Sequence, residues 1–446
     1  MAERTVVIAG GGASGTLVAT HLLRRSDEAR VVVIEPRERI GPGVAYSTQC
    51  PDHVLNVPAK AMSAFAGKPG DFVDWLRAGG YGDYDANAFV PRGIYGAYLS
   101  ATARTAFAAA GERFRHVRSE AIAVDATARG VDVRTSDGST IAADAFVLAT
   151  GNAAPSAWPR ISESARASGR YFGSAWAHGA LEVEDPGEVV LLLGSGLTAV
   201  DAVLELRHNG HRGPIYMVSR RGLLPHEHRL FDAPPEADPE AESMRDLVET
   251  LRGGANWRVA LDGMRPKTNA LWQALTLAEQ RRFVRHVMPY WNVHRHRMAP
   301  QVAKTLAELI AADRLRSLAG KTGPVDATAK GLQVAIDLRG GEGTFVLEAG
   351  RVINCSGPQH DFRKLPQPLI QQMLASGAMT PYVLDIGIVV DANGALVDAD
   401  ERPSDRCFAI GPIRYGTLIE TTAIPEIRAQ AEELADLILT ADRSRR

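Results

Sequence analysis

Two short glycine-rich runs hold the residues of this chain best suited to chemistry. The first reads Gly10-Gly11-Gly12-Ala13-Ser14-Gly15 and follows the apolar run 5–9; the second reads Gly194-Ser195-Gly196-Leu197-Thr198-Ala199 and follows 189–193. Each lies between a strand-like segment and a helical pattern, the setting in which such a run wraps the pyrophosphate of a dinucleotide. In the first run Gly10 permits the tight turn, Gly12 lets the backbone approach the pyrophosphate, and Gly15 lets helix pack on strand. Ser14 belongs to the same expected contact set, and the helix N-terminus adds free N–H donors and positive potential. Glu35 stands about 20 residues past Gly15, where a carboxylate accepts hydrogen bonds from ribose hydroxyls and repels a 2′-phosphate. That fits FAD or NAD. The second run lacks such an acid. Ser219-Arg220-Arg221 follow its next strand, and guanidinium groups there would pair with a 2′-phosphate, so NADPH is preferred over NADH. Gly194, Ser195, Gly196, Thr198, Arg220 and Arg221 are the residues expected to hold it. Two dinucleotides on one polypeptide, a flavin and a nicotinamide, imply electron transfer.

A third concentration of functional side chains runs from Arg281, Arg282, Arg285 and His286 into Tyr290-Trp291-Asn292-Val293-His294-Arg295-His296-Arg297-Met298. Arg295, Arg297 and Lys60 are candidates for binding a substrate carboxylate, arginine through a bidentate fork. The alternative is that these arginines pair with acids between domains. A nucleic-acid surface is disfavoured because the stretch is short and the chain as a whole is not basic. His226-x-His228 and His294-x-His296 do not complete a metal shell of familiar spacing, so no metal is expected. Cys50, Cys355 and Cys407 include no Cys-x-x-Cys pair, and Cys355 reads as a small core residue rather than a nucleophile. No Gly-x-Ser-x-Gly elbow is present.

The elements that must position these residues repeat. Strand 5–9, the glycine turn, helix 16–25 and strand 30–34 form one βαβ unit; strand 189–193, helix 198–209 and strand 214–218 form another. Each is followed by segments that alternate like a small antiparallel meander. The first comprises 118–126, 131–135 and 140–142, with a turn at Asp137-Gly138; the second comprises 331–338 and 344–347. Each ends in a closing strand, Phe146-Val-Leu-Ala-Thr-Gly151 and Val352-Ile-Asn-Cys-Ser-Gly357. The repeat of about 180 to 200 residues is far longer than a solenoid period. The expected architecture is α/β, with two Rossmann-like doubly wound dinucleotide-binding domains. The FAD-binding domain is discontinuous over 1–155 and 358–446, and the NADPH-binding domain, 156–357, is inserted within it. A helical insertion at about 223–313, with a loop at Pro234-Pro235, is expected to cover the cleft. The chain should end in a helix over about 425–439.

At 446 residues, 45% of them apolar, two or three domains with sizeable cores are expected. The net charge of −2 gives no reason to expect nucleic acid or membrane as a partner. No apolar stretch approaches the roughly 18 residues that span a bilayer, and a strand starts almost at once, leaving no room for a signal peptide. A cytoplasmic location is expected.

Several further runs resemble one family. Gly41-Pro-Gly-Val-Ala-Tyr-Ser-Thr48, Leu55-Asn-Val-Pro-Ala59, Met62-Ser63, Pro91-Arg92 and Tyr95-Gly96 are among them, as are Ala149-Thr-Gly-Asn152 and the stretch 219–225. Tyr290-Trp291 through Pro300 and the tail Gly416-Thr-Leu-Ile-Glu-Thr-Thr-Ala-Ile-Pro-Glu-Ile-Arg428 complete the set. Together they resemble the FAD/NAD(P)-binding flavoproteins related to flavin-dependent N-hydroxylating monooxygenases. The resemblance spans nearly the whole chain. It implies that Asn56, Val57 and Met62 approach the flavin ring, that Gly151 lies near its pyrophosphate or ribose, and that Gly411, Pro412, Leu418 and Thr421 close the FAD site. One departure is informative: Tyr171-Phe-Gly173 is followed by His178, a spacing that misses the Phe-x-Gly-x-x-x-His of Baeyer–Villiger enzymes by one and argues against that class. The reaction implied passes hydride from NADPH to FAD, whose reduced ring activates O2 for transfer of one oxygen to the nitrogen of a small carboxylate-bearing amine such as an amino acid. A reductase without oxygen insertion and a flavin-bearing regulator are the rival readings. The partners implied are a small molecule and O2, and the oligomeric state stays open.

Overall fold

The computed structural model describes residues 4–127, 129–229, 248–249 and 257–441. Pro234 and Pro235 lie outside these. The first sheet has the order Ala395–Val397, Pro403–Ala409, Ala145–Leu148, Arg4–Ala9, Ala29–Ile34, Phe114–Val117, parallel except for its first pair. Residues 6–9 of the central strand are essentially inaccessible to solvent, as a strand covered on both faces must be. One face is covered by helices Ala13–Arg25, Arg92–Ala110 and Ile424–Thr440, through Leu17, Leu22, Tyr95, Leu99, Ile427 and Leu434. The other is covered by a separate antiparallel sheet, Ala121–Ala126, Val131–Thr135 and Thr140–Ala143, together with helix Pro368–Ala375.

The second sheet runs Thr344–Ala349, Leu332–Leu338, Leu315–Ala327, Ile215–Ser219, Val190–Leu193, Arg351–Asn354, Tyr171–Phe172. Here the meander is continuous with the parallel strands. Leu315–Ala327 pairs in parallel with Ile215–Ser219 over its first five residues, then antiparallel with Leu332–Leu338 from Gly320 onward, with a register shift between Thr322 and Val325. Gly323-Pro324 lies at that shift. Proline lacks a ladder donor and glycine weakens a strand, so both concentrate at such irregularities. Strands Leu315–Ala327 and Phe114–Val117 extend the expected element list, and the alternating segment expected from 118 begins at Ala121.

The insertion contributes helices Trp257–Met264, Thr268–Ala274, Leu277–Arg282, Met288–Arg295 and Pro300–Ala311. Thr276 and Glu279 form a capping box, each side chain bonding the other's backbone N–H. A π-helical turn, Phe283–Val287, precedes Pro289, which cannot donate back into the preceding turn. Trp272, Phe283, Met288 and Trp291 form a core with Ile419. Trp272 Nε1–H donates to the Gly416 carbonyl (2.6 Å), and Asn269 bonds the backbone of Ile419 and Glu420. At its other end Met298, Ala299, Val302 and Leu306 pack into the core of the second sheet. The insertion therefore touches both halves of the molecule. Among the described residues no helix is long and apolar enough to cross a membrane.

The first-turn helix buries one titratable group. His21 is 3% exposed, and burial lowers its pKa to about 4, Glu432 partly offsetting the effect. A histidine held neutral in the folded state stabilises the fold above its unfolded value of about 6.5, and the contribution is lost as pH falls toward 4. Denaturant titrations between pH 7 and 4.5 should show stability falling, and His21→Gln should remove up to about 3 kcal/mol of that dependence.

Candidate active site

Both glycine turns are built by the same steric demand. Gly10 has φ +110° and Gly194 has φ +130°; a Cβ on either would lie 2.4 Å from a carbonyl oxygen of the closing strand, Ala149 or Cys355 respectively. Only glycine lets strand, turn and closing strand meet so closely. Gly12 and Gly196 are the residues before helices Ala13–Arg25 and Leu197–His208, with nearly the same extended backbone, φ −74° and −82°. No side chain caps either helix start, so no side-chain group occupies the first N–H donors that an anion site would use. A Cβ on Gly196 or Gly151 would enter open space, which leaves a cradle for a ligand at both turns. At Gly15 a Cβ would meet the Gly10 carbonyl at 2.0 Å, whereas the second unit accommodates buried Ala199 at the matching place.

Glu35 is 3% exposed, and its carboxylate accepts from Gly11 N–H (2.8 Å) and from Arg37 through Nε (2.8 Å) and Nη2 (3.0 Å). Burial works against its charge, but the Arg37 and Gly11 hydrogen bonds outweigh it and hold the pKa below the ordinary carboxylate value. The acid is thus ionised and fixed at the edge of the turn. Its tie to Arg37, two residues on, was not part of the sequence reading. A groove of about 360 Å³ lies between Arg285 and Asp385; a second, of about 290 Å³, opens beside Arg37, Pro42 and Gly43. The second has the better claim to cofactor contact, because a Cβ on Gly12 would lie 3.5 Å from Gly43 Cα.

The tail closes on the first turn. A Cβ on Gly411 would lie 2.5 Å from Ser14 Oγ, the Thr421 hydroxyl donates to the Gly411 carbonyl (2.9 Å), and Gln430 bonds both Gly411 N–H and Thr421. Pro412 lies in the short turn Gly411–Arg414, and Leu418 N–H donates to Arg414 C=O. Met62 is buried and Val57 packs against the same core. Arg428, on the last helix, donates to the Ser63 carbonyl (3.0 Å), tying the 59–63 turn to that helix.

At the second turn Ser195 Oγ donates to the Leu223 carbonyl (2.6 Å) and lies 2.8 Å from Ser219 Oγ, joining the turn to the end of the next strand. Thr198 lies half-buried in the first turn of the helix. Arg220 is exposed with no ion-pair partner among the described residues, and Arg221 sits 5.0 Å over the Tyr290 ring. Both guanidinium groups keep donors for an anion.

The basic stretch divides differently from the three candidates named for a substrate carboxylate. Arg295 is buried and forks Glu420 at 2.7 and 2.6 Å, with Glu426 at 3.7 Å. Burial opposes its charge, and the two carboxylates more than compensate, raising its pKa. Arg297 is buried and pairs with Asp262. The arginines therefore pair with acids, the alternative weighed from sequence. Lys60 is exposed on the turn Ala59–Ala61 and has no ion-pair partner among the described residues. The His226 and His294 rings pack 4.5 Å apart, both against Trp257.

One constellation escaped the sequence reading. Arg92 donates through Nη1 and Nη2 to Asp201 (2.6 and 3.1 Å), through Nε to the Val54 carbonyl (3.0 Å) and through Nη2 to Asn56 Oδ1 (3.3 Å). Asp201 belongs to the second-turn helix, whereas Arg92 starts a helix on the first sheet. His53 lies 2.9 Å, through Nε2, from the Asp201 carbonyl. An acid amid Ala199-Val200 and Ala202-Val203 was the available signal: a buried carboxylate on an apolar helix demands a cation.

Residues 7–153 match a family model described as FAD-NAD(P)-binding. No curated protein sequence matches the chain. Among solved structures, ornithine hydroxylase PvdA from Pseudomonas aeruginosa has a TM-score of 0.64 at 18% identity, covering 98% of this chain and 99% of that one. The ornithine N-hydroxylase KtzI of Kutzneria sp. 744, described with FADred, NADP+ and L-orn, has a TM-score of 0.68 at 14% identity, covering 98% and 99%. The bacillithiol disulfide reductase Bdr from Bacillus cereus has a TM-score of 0.57 at 13% identity, covering 99% and 100%. The chain shares their α/β fold over 98–99% of its length.

Removing either partner of the Arg92–Asp201 pair strands a buried charge. Asp201→Ala should lower stability by about 3–5 kcal/mol, and the double variant Arg92→Met/Asp201→Leu should recover much of that loss. Urea melts of the native protein and the two variants check this; equal losses in the single and double variants would contradict it.

Proposed function

We propose that this chain is a FAD- and NADPH-dependent oxidoreductase, and that its reaction is N-hydroxylation of a small carboxylate-bearing amine. The observation that carries the reading is the pair of matching glycine turns with opposite electrostatics. The first carries ionised Glu35 at the end of its second strand, where it would meet the FAD ribose, and the second carries Arg220 and Arg221 with donors to spare, suited to a 2′-phosphate.

FAD, when bound, supplies the centre that accepts hydride and activates O2. The chain's own residues orient and enclose it. Gly10, Gly12, Ser14 and Gly15 would hold the pyrophosphate, Glu35 the ribose, and Gly411 and Thr421 would close the site beside Ser14. Gly194, Ser195, Gly196 and Thr198 would present the second helix N-terminus to the pyrophosphate of NADPH. Asn56, held by Arg92, faces the same seam as the helix that bears that second turn. Lys60 is the candidate with an uncommitted charge for a substrate carboxylate, since Arg295 and Arg297 are paired within the protein.

The disulfide-reductase reading requires a thiolate near the flavin. Cys50, Cys355 and Cys407 are buried and unpaired; burial pushes the Cys407 thiol to about 11 and the Cys355 thiol well above its ordinary value. The cysteines argue against thiol exchange.

The test is to screen amino acids and small diamines for accelerated NADPH consumption, with mass spectrometry of the products. One substrate should gain a single oxygen atom, and Lys60→Met should raise its KM about tenfold or more while flavin reduction by NADPH stays unchanged. Turnover without any oxygenated product would leave the plain reductase as the better reading.

A further inference from the structure

The seam held by Arg92 carries a second group of side chains that none of the flavin chemistry uses. Cys50 and Asp52 lie on the turn just before His53, and His208 ends the helix that carries Asp201. The Cys50 Sγ, an Asp52 carboxylate oxygen and an imidazole nitrogen of His208 all lie within 4.8 Å of one another. His208 Nδ1 and Asp52 Oδ2 are 3.5 Å apart. Glu205 is one helical turn before His208 on the same face, with its carboxylate 3.6 Å from His53 Nε2.

We propose that Cys50, Asp52 and His208 form a site for a divalent transition-metal ion of the zinc type, which staples the two nucleotide-binding units at their seam. The donor set argues for the class of ion. Thiolate and imidazole with one carboxylate suit zinc and its neighbours, whereas magnesium and calcium prefer all-oxygen shells. The geometry argues for a preformed site. Tetrahedral bonds of about 2.0–2.3 Å put ligand atoms about 3.3–3.8 Å apart, so small rotations of the two solvent-facing members close the shell. Charge points the same way. Among the described residues no lysine or arginine pairs with Asp52 or Glu205, and the helix C-terminus beside His208 adds negative potential. Binding would displace the Cys50 thiol proton to solvent, and water or Glu205 would take the fourth position. His53 stays outside the shell because its Nδ1 is 2.8 Å from Thr48 Oγ1 and its Nε2 lies against the Asp201 carbonyl. The staple and the Arg92–Asp201 pair can therefore act together.

The experiment titrates FAD-loaded, chelator-treated protein with Zn2+ in competition with a chromophoric chelator, and reads the bound ion by X-ray absorption. One equivalent should bind, with one sulfur donor at about 2.3 Å. Cys50→Ser should lose the sulfur signal, and His208→Gln should weaken binding at least about tenfold while retaining FAD. Zn2+ should raise the melting temperature of the native protein and leave that of His208→Gln unchanged. Absence of stoichiometric binding, or binding by His208→Gln equal to that of the native protein, would overturn the proposal. Because His208 is half-exposed, its variant decides the question even if Cys50→Ser does not fold. The outcome does not depend on which substrate the enzyme oxidises.

Discussion

The Arg92 guanidinium is a charged joint between the two halves of this molecule. Arg92 rests on the Val54 carbonyl and on Asn56, the latter expected beside the flavin, and forks Asp201 on the helix of the second nucleotide turn. A buried ion pair of this kind contributes little net stability, because desolvating two charges costs roughly what their attraction returns. What it supplies is geometry. With five donors in a fixed fork, arginine tolerates few arrangements of its partners, and sliding one nucleotide-binding unit past the other would strand a buried carboxylate. Two cofactors that exchange hydride need that constancy, since a displacement of about 1 Å can cost a hundredfold in rate.

Around this joint the molecule uses one backbone design twice and changes its sign. A Cβ on Gly10 or Gly194 would lie the same 2.4 Å from a carbonyl oxygen, and both following helices begin uncapped. The difference lies at the end of the next strand. One unit places a carboxylate there, held ionised by Arg37 and Gly11; the other places two arginines, one of them stacked on Tyr290. On the proposed reading, a fold that presents N–H groups to any pyrophosphate acquires its preference from a few charged side chains. The insertion, anchored to the tail by Trp272 and Asn269 and to the second sheet by Met298 and Val302, adds a further physical link between the halves.

The sequence made the glycine turns and their flanking strands legible because their signals are local: a period, a breaker and a helix start. Leu315–Ala327 was obscured by Gly320, Gly323 and Pro324, which break the local strand pattern; Gly320 pairs with Leu338, and Gly323-Pro324 falls at a register shift. The arginines at 295 and 297 illustrate a different limit. Their types suited a substrate carboxylate, yet Glu420 and Asp262, remote in the chain, already occupy them. Arg92 and Asp201 likewise meet only in three dimensions, as do Cys50, Asp52 and His208. Local pattern reports where backbone must turn, whereas the partner of a charge is a property of the folded molecule.

The central claim is that two separate nucleotide sites work across one rigid seam. Anaerobic mixing of the FAD-loaded protein with NADPH, followed by flavin absorbance, tests it most directly when Gly194→Ala is compared with the native chain. The native protein should bleach rapidly, and Gly194→Ala, with φ +130° and a carbonyl in the way of its new methyl group, should keep its flavin yet bleach at least about a hundredfold more slowly. Equal rates in the two proteins, or a native flavin that NADPH leaves oxidised, would contradict the account.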